Sequence, residues 1–490
     1  MEIKIATMPI AAAVALAVAA VMSPAGTAGA QASPLDTTGR VSVTSTLGLE
    51  WGSDAPALPA TIPASTKTWK ARADLGSLYN VARSTGAQAA WSTSTGAGVT
   101  VAVIDTGISP VAGLDAPGKV INGLDLSSEN SASSTRFLDA VGHGTHIAGI
   151  IAGRDGRGTS TKGSDDASKF TGIAPDARLL NVKVGGADGD SEGAVNTAQV
   201  VTAIDWVVAH RNDNGMNVRV LNMSSGAAAG QSFGADPLAR AVENAWRAGI
   251  VVVAAAGNEG GTSKLVMPAA DPYVIAVGSS DNEGTPEVAD DTLSTFTNPG
   301  TSDRHADLLA PGKSVVSLLV PGSIVDREHP EGHVAGDSSG RFLRGTGTSQ
   351  ATAVVSGAAA VLLQDRPNLT PDQVKYLLTS SATAMPAEPS AARGAGQVNI
   401  QAALALATPA AAVAAQEFGT SSGPGMSSAA SAYWASAYWA SAYWASAYWA
   451  SAYWASAYWA SAYWASAYWA SAYWASAYWA SAYWASAYWA

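Results

Sequence analysis

The stretch "GTGTSQATAVVSG", residues 345–357, places Ser349 where a glycine-rich loop turns into a helix. Two interpretations of this serine are open. It can cap the helix by accepting a hydrogen bond from a backbone N–H that has no partner in the helix. It can also be a nucleophile, because a helix N-terminus supplies positive potential and N–H donors for an oxyanion. The rest of the sequence has to separate these two interpretations.

Two further groups that can move or orient a proton stand at the ends of predicted elements. Asp105 ends the apolar run "VTVAVID", where burial of a carboxylate requires either structural hydrogen bonds or a role in orienting another group. His143 opens the small-residue helix of "GHGTHIAGIIAG", and His146 follows one turn later. We expect His146 to be a packed, hydrogen-bonded histidine, since a metal site would need a third ligand and no glutamate lies between the two histidines.

Asn258 follows the buried run "IVVVAAAG" in a predicted turn. Such an asparagine can simply tolerate a left-handed backbone conformation. Its side-chain N–H can alternatively donate to an oxyanion that develops during a reaction. Taken alone, the position favours the turn interpretation.

The order of these residues along the chain changes the interpretation. Asp105, His143 and Ser349 follow the order Asp, His, Ser of the triad in subtilisin itself. The sequence resembles the subtilisin-like (subtilase) serine peptidases of the secreted bacterial type. The stretches that carry this resemblance, in chain order, are "VAVIDTGI", "GHGTHIAG", "LNMSSG", "AAAGNEG", "PAADPYVIAVGS", "LAPG" and "GTSQA".

The resemblance implies a serine endopeptidase that hydrolyses peptide bonds through an acyl-enzyme intermediate and needs no cofactor for catalysis. Ser349 would be the nucleophile, and His143 would act first as general base and then as general acid. Asp105 would hold His143 in its working tautomer and stabilise the imidazolium. Asn258 would donate to the oxyanion together with the backbone N–H of Ser349.

Substrate-binding residues also follow from the resemblance. An extended polypeptide substrate would add a strand to two edges of the protein, and two further residues would wall the pocket for the residue before the scissile bond. The first edge is Ser224, Ser225 and Gly226, the second is Asp188, Gly189 and Asp190, and the pocket residues are Ala255 and Gly257.

Three positions depart from the family pattern, which is Gly-Thr-Ser-Met-Ala-x-Pro around the serine and Ser-Leu-Gly at the first edge. Gln350 stands in place of Met, Ala353 in place of Pro, and Ser225 in place of Leu. We expect the helix to form at Ala353, since alanine is the better helix former. The family often binds structural Ca²⁺ in loops like the acidic insert that holds Asp155, Asp165 and Asp166, although the ligand pattern of this insert is not specific.

The elements that must position these residues alternate between strands and helices. Continuous apolar runs such as "ARLLNVKV", "VRVLNMS" and "YVIAVGS" are typical of strands that are buried on both faces of a parallel sheet. Helical stretches lie between them, and Thr370 with Pro371 predicts the start of a further helix. The fold class predicted is α/β, a doubly wound, mostly parallel sheet flanked by helices.

Composition limits the partners and the compartment. The 490-residue chain is 48% hydrophobic and has a formal net charge of −11, which argues against nucleic acid as a partner. Polypeptides are the substrates that the subtilase resemblance implies. The chain has no cysteine, so it forms neither disulfides nor thiolate metal sites.

The N-terminus predicts export from the cell. Lys4, the apolar run of residues 10–22 and the small-residue site Ala28-Gly29-Ala30 are typical of a signal peptide, with Gln31 as the new N-terminus or cleavage after Ala32 as the alternative. The predicted organisation is signal peptide 1–30, pro-segment or N-terminal extension 31–75, peptidase domain 76–406, linker 407–430 and repeat tail 431–490. The protein is expected to be secreted, extracellular or associated with the cell surface.

The tail consists of twelve consecutive copies of Ser-Ala-Tyr-Trp-Ala in residues 431–490. Its high aromatic content and lack of charge do not fit an ordinary solvated linker. The sequence favours a module that binds the cell wall or associates with itself, for example by stacking aromatic rings on sugars or on other copies. This leaves an alternative function open, in which the protein is a surface- or wall-binding protein and the tail dominates.

Overall fold

A central sheet carries the fold in the computed structural model, which describes residues 68–131, 134–156, 166–187, 195–227, 236–386 and 393–416. The strands in these ranges are β1 (Thr100–Asp105), β2 (Val120–Asp125), β3 (Arg178–Lys183), β4 (Val218–Met223), β5 (Val251–Ala255), β6 (Ile275–Asp281), β7 (Thr292–Leu293), β8 (Leu308–Pro311), β9 (Val315–Leu318) and β10 (Phe342–Gly345).

The large sheet is mostly parallel, as the sequence predicts. Its strands lie in the order β2-β3-β1-β4-β5-β6, and every pair in this row is parallel. Strand β6 also pairs with β8 in parallel and with the short β7 in antiparallel orientation, while β9 and β10 form a separate antiparallel pair. Because β1 has a parallel neighbour on each side, Asp105 lies at the carboxyl edge in the middle of the sheet.

Helices surround the sheet. They are α1 (Leu78–Ser84), α2 (Ala87–Ala90), α3 (His143–Ala152), α4 (Thr197–His210), α5 (Pro237–Arg247), α6 (Ile324–Glu328), α7 (Thr348–Asp365), α8 (Pro371–Ser380), α9 (Ile400–Ala405) and α10 (Ala411–Ala414), with short 3₁₀ helices at Ala71–Ala73, Ser128–Ser131, Asp213–Gly215, Val288–Asp290 and Pro330–Gly332. Helix α3 packs against α7, and α4 packs against α5.

Helix α7 is the helix at the centre of the core. It contacts β4, β5, β6 and β8, and every residue from Thr348 to Leu363 is buried. Small residues dominate this helix, so the strands and α3 can approach it closely. Ala353 lies inside the continuous helix and is buried, which confirms that the helix forms without the family's proline.

The elements predicted from the sequence are present. The apolar runs form β1, β3, β4, β5 and β6, and α4, α5, α7 and α8 occupy the predicted helical stretches. Thr370 caps α8 in a capping box, since its hydroxyl accepts from Gln373 N (3.2 Å) and the Gln373 side chain accepts from Thr370 N (2.9 Å).

The two ends of the described chain are held against this body. Near the N-terminal end, the Asp74 carboxylate accepts from both terminal nitrogens of Arg344 (3.1 and 2.6 Å) and from the Trp69 indole (2.7 Å). Near the C-terminal end, Gln373 donates to Pro409 O (2.8 Å). The predicted signal peptide and repeat tail lie outside the described residues, and within those residues no helix has the length and apolar character needed to cross a bilayer.

Candidate active site

Asp105 and His143 are joined by a hydrogen bond at the centre of the site. Strand β1 ends at Asp105, α3 begins at His143, and His143 Nδ1 lies 2.7 Å from Asp105 Oδ1. Both residues are buried. The nitrogen that faces a carboxylate carries the proton, so in the neutral imidazole Nε2 is the atom that can accept one.

Glycine at position 144 allows α3 to come this close to the end of β1. A Cβ at Gly144 would lie 2.2 Å from Gly107 O and 3.1 Å from Asp105 Oδ1. Any larger residue would therefore push the helix away from the strand and lengthen the contact between Asp105 and His143.

Asp139 is a residue of this site that the sequence interpretation missed. Its carboxylate accepts from Gly142 N (2.7 Å), Thr145 N (2.7 Å) and the Thr106 hydroxyl (2.8 Å), so it binds the N-terminal turn of α3. Burial raises the pKa of Asp139, while these hydrogen bonds oppose the rise. An acidic residue shortly before a helix start is a signal of such a contact, and "LDAVGHGTH" contains it.

The pKa of His143 lies above its ordinary value of 6.5. Burial of the imidazole alone would lower it. The charge of Asp105, the hydrogen bond that the imidazole donates to its carboxylate and the charge of Asp139 act in the opposite direction and outweigh burial. The site therefore favours the protonated imidazolium that a general base forms when it takes a proton.

His146 lies one turn further along α3 and is fully packed, as expected. Burial, with a smaller contribution from His143, lowers the pKa of His146 to about 3, so its ring is neutral. Within the described ranges, no group of three or more His, Cys, Asp or Glu side chains could hold a metal ion.

The acidic insert does not fit a calcium site at Asp155. The Asp155 carboxylate accepts from both terminal nitrogens of Arg341 (2.7 and 3.3 Å) and from Phe170 N (3.0 Å). Asp166 accepts from the backbone N–H and the hydroxyl of Ser168, and Asp165 lies outside the described residues.

Ser349 is the second residue of α7 and does not cap that helix. The cap position is Gly347, and the Ser349 hydroxyl instead donates to Ser224 O at 2.8 Å. His143 Nε2 is buried and has no hydrogen-bond partner among the described residues. The Ser349 hydroxyl is therefore hydrogen-bonded to a backbone carbonyl and not to the His143 imidazole. The backbone N–H of Ser349 lies in the first turn of α7, where the helix supplies no acceptor.

Asn258 is anchored to the start of α7. Its Oδ1 accepts from Thr348 N (2.8 Å) and from the Thr348 hydroxyl (2.9 Å). Asn258 does not have a positive φ, and its neighbour Gly257 takes that conformation with φ +111°, so the left-handed turn interpretation of Asn258 is wrong. The contact with Thr348 therefore uses the amide oxygen of Asn258 and not its side-chain N–H groups.

The predicted substrate-binding residues are only partly described. Ser224 and Ser225 directly follow β4 and are buried, and the Asn222 amide holds the Ser224 hydroxyl at 2.7 Å. Ala255 ends β5. Gly226 and Gly257 also follow these two strands closely. The first edge and the pocket residues therefore lie at the carboxyl ends of β4 and β5, which both contact α7. Asp188, Gly189 and Asp190, the second edge, lie outside the described residues.

Two surface cavities do not belong to this site. They have volumes of about 530 and 470 Å³, and the residues that line them include none of the candidate catalytic residues.

Comparison with known proteins identifies relatives of this chain. Residues 96–434 match the model of the Subtilase family. The chain is 36% identical over 316 residues to Serine protease AprX and 33% identical over 312 residues to Subtilisin E, both of Bacillus subtilis (strain 168). Each match covers 63% of this chain and 66% of the relative, just under two thirds of its length. Fervidolysin from Fervidobacterium pennivorans, described as a keratinolytic enzyme related to subtilisin, matches in structure with a TM-score of 0.50 and 28% identity over 66% of this chain and 44% of that chain.

Proposed function

The chain belongs to the subtilase family, and on that premise we propose that it is a secreted serine endopeptidase with Asp105, His143 and Ser349 as its catalytic triad. The observation that carries the proposal is the buried hydrogen bond of 2.7 Å between His143 and Asp105 at the carboxyl end of β1. A buried carboxylate is costly without a partner, and here its partner is the imidazole that a general base requires.

The proposed reaction proceeds through an acyl-enzyme. His143 Nε2 takes the proton of Ser349 as the serine oxygen attacks the carbonyl carbon of the peptide bond. His143 then gives this proton to the leaving amine, and the bond between carbon and nitrogen breaks. A water molecule attacks the acyl-enzyme in the same way, with His143 again as base, and releases the acid product and free Ser349.

One rearrangement of the serine side chain precedes attack. Ser349 Oγ donates to Ser224 O in the structure, so it must rotate to donate to His143 Nε2. A serine side chain has three staggered rotamers, and catalytic hydrogen bonds commonly form only when substrate binds. A substrate strand that pairs with the Ser224 edge would compete for this carbonyl, which favours the rotation.

The proposed oxyanion site lies between Asn258 and the start of α7. The Asn258 amide would donate to the oxyanion together with the Ser349 N–H, and the positive end of the α7 dipole would add to both. The anchoring of Asn258 Oδ1 on Thr348 N (2.8 Å) supports this role, because a fixed donor does not need to reorganise during the reaction.

An inhibition experiment separates this proposal from a metallohydrolase. The full chain should hydrolyse a peptide substrate, lose this activity on treatment with a fluorophosphonate, and keep it during brief exposure to a chelator. The label should be found on Ser349 by mass spectrometry of the digested protein. Loss of activity with the chelator and resistance to the fluorophosphonate would contradict the serine mechanism.

The localisation and the tail complete the proposal. Residues 1–30 are proposed as the signal peptide, 31–75 as a pro-segment or N-terminal extension, 76–406 as the peptidase domain and 407–430 as a linker. Residues 431–490 are proposed to attach the enzyme to the cell surface or to other copies of itself. In the alternative, the protein binds a surface or cell wall and this tail dominates its function. That alternative requires that binding through the tail persist in a variant that no longer hydrolyses peptides.

A further inference from the structure

We propose that Asn298 is a positioning residue for the oxyanion donor Asn258 and acts through the loop that carries it, residues 257–260. This inference rests on the proposed function, since it matters only if Asn258 acts on an oxyanion. Asn298 lies about 40 residues further along the chain and is buried, with 1% of its surface exposed.

Asn298 uses its whole amide on this loop. Its Oδ1 accepts from Glu259 N (2.7 Å) and from Gly260 N (3.0 Å). Its Nδ2 donates to Lys264 O (2.9 Å) and to the Glu259 carboxylate. Its backbone N–H donates to Gly257 O (3.1 Å). One residue thus binds the loop at several points.

These contacts lie on both sides of Asn258 in the chain. Gly257 precedes it, and Glu259 and Gly260 follow it. Gly257 has φ +111°, and a Cβ there would lie 2.3 Å from Asn298 Nδ2, so the amide packs directly on the loop backbone.

The other side of the loop is held by α7. Gly257 N donates to the Thr348 hydroxyl (3.3 Å), and Asn258 Oδ1 accepts from Thr348 N (2.8 Å). Asn258 therefore lies between two anchors, Thr348 and Asn298. If the Asn298 anchor is removed, the loop can shift about the remaining one, and the donor moves away from the oxyanion.

The cost of such a shift should appear in kcat. The Asn258 donor acts on charge that develops in the transition state. Displacement of this donor therefore reduces stabilisation of the transition state more than stabilisation of the bound substrate. Removal of a single oxyanion donor from subtilisin lowers kcat by about 10²–10³-fold, and a displacement of about 1 Å in an active site can cost about 10²-fold.

The test compares three single variants of the full chain on one peptide substrate. Asn258→Ala should lower kcat by about 10²–10³-fold, and Asn298→Ala by about 10- to 100-fold, each with KM changed by less than about threefold. Asn399→Ala is the matched control, because Asn399 also binds a backbone N–H (Ala402 N, 3.0 Å) and donates to a side chain (Thr383 Oγ1, 3.0 Å). Asn399→Ala should lower the melting temperature and leave kcat within about twofold of the wild-type value.

The double variant Asn258→Ala/Asn298→Ala tells positioning from general damage. If Asn298 acts through Asn258, loss of Asn298 should lower kcat by less than about threefold once Asn258 is absent. If the two losses multiply, or if folded Asn298→Ala keeps the wild-type kcat, the inference is wrong. If Asn258→Ala itself leaves kcat unchanged, the oxyanion role in the proposed function fails, which is a different result.

A second substitution covers the case in which Asn298→Ala does not fold. Asn298→Asp keeps an oxygen for Glu259 N and Gly260 N and loses both N–H donors. Asn298→Asp is then combined with Asn258→Ala in the same double-mutant cycle. Once Asn258 is absent, Asn298→Asp should lower kcat by less than about threefold. A loss that multiplies overturns the inference here as well.

Discussion

The two halves of the proposed catalytic site are organised differently. On the β1–α3 side, Asp105 and His143 are buried and already joined by a hydrogen bond of 2.7 Å. On the β5–α7 side, the groups are held by backbone atoms of their neighbours, Ser349 by Ser224 O and Asn258 by Thr348 N. Each half is therefore ordered before substrate binds, but only the first has its reacting groups in contact.

The difference follows from charge. A buried carboxylate or imidazolium without a partner is costly, so the charged half has to be assembled when the protein folds. A serine hydroxyl is neutral and exchanges one acceptor for another at small cost. The charged pair is therefore fixed in the folded protein, and the nucleophile is the group that moves.

The largest effect should come from the half that moves. Ser349→Ala should abolish peptide hydrolysis and leave the fold intact, because the helix cap at Gly347 does not use the serine. In subtilisin itself the corresponding loss is about 2 × 10⁶ in kcat. Ser94→Ala is the control, since this buried serine binds α7 at Val361 O (2.7 Å), far along the helix from Ser349. Normal hydrolysis by the purified Ser349→Ala protein would contradict the mechanism.

The charged half should give the next largest effect. Asp105→Asn should lower kcat by about 10⁴-fold, the loss seen for the equivalent change in a serine protease of another fold, because the amide stabilises the wrong imidazole tautomer. Melting temperature and fluorophosphonate labelling would be measured beside kcat. A folded variant with less than tenfold loss would mean that Asp105 is structural.

The same charged pair predicts a shift in the pH dependence. Only neutral His143 accepts a proton, so kcat/KM should rise with pH as the imidazole loses its proton. The pKa of His143 is raised, so this rise should lie above the ordinary value of 6.5. In Asp105→Asn the largest cause that raises the pKa of His143 is gone, while burial still lowers this pKa and the charge of Asp139 still raises it. The rise should therefore move to lower pH, and a profile that stays in place or moves upward would refute the assigned cause.

The smallest effect should come from the tail. If residues 431–490 attach the enzyme and do not belong to its catalytic part, their removal should leave kcat and KM on a small peptide within about twofold, since mutations at independent sites do not couple. The truncated protein should at the same time move from cells or aggregates into the medium. An inactive or unfolded truncation would show that the tail supports the catalytic part.

The parts of this molecule that sequence could predict are those whose signal is local. Strands such as β1 and β5 are continuous apolar runs, and the glycines around Ser349 and His143 mark where elements begin. Asn298 could not be found in this way, because its partners at Glu259 and Gly260 are distant in the chain and meet it only after packing. The choice of Ser224 O as the acceptor for Ser349 is also invisible in sequence, since it depends on how α7 sits against β4.

The most direct test of the account is a double variant that joins the two halves. Ser349→Ala, His143→Ala and the combination of both would be compared in kcat on one peptide substrate, with contamination excluded by fluorophosphonate pretreatment. If Ser349 must meet His143 to react, the combined variant should be about as slow as either single one, as in subtilisin. If the losses multiply, the serine and the histidine act independently, and the proposed transfer of the proton from Ser349 to His143 is wrong.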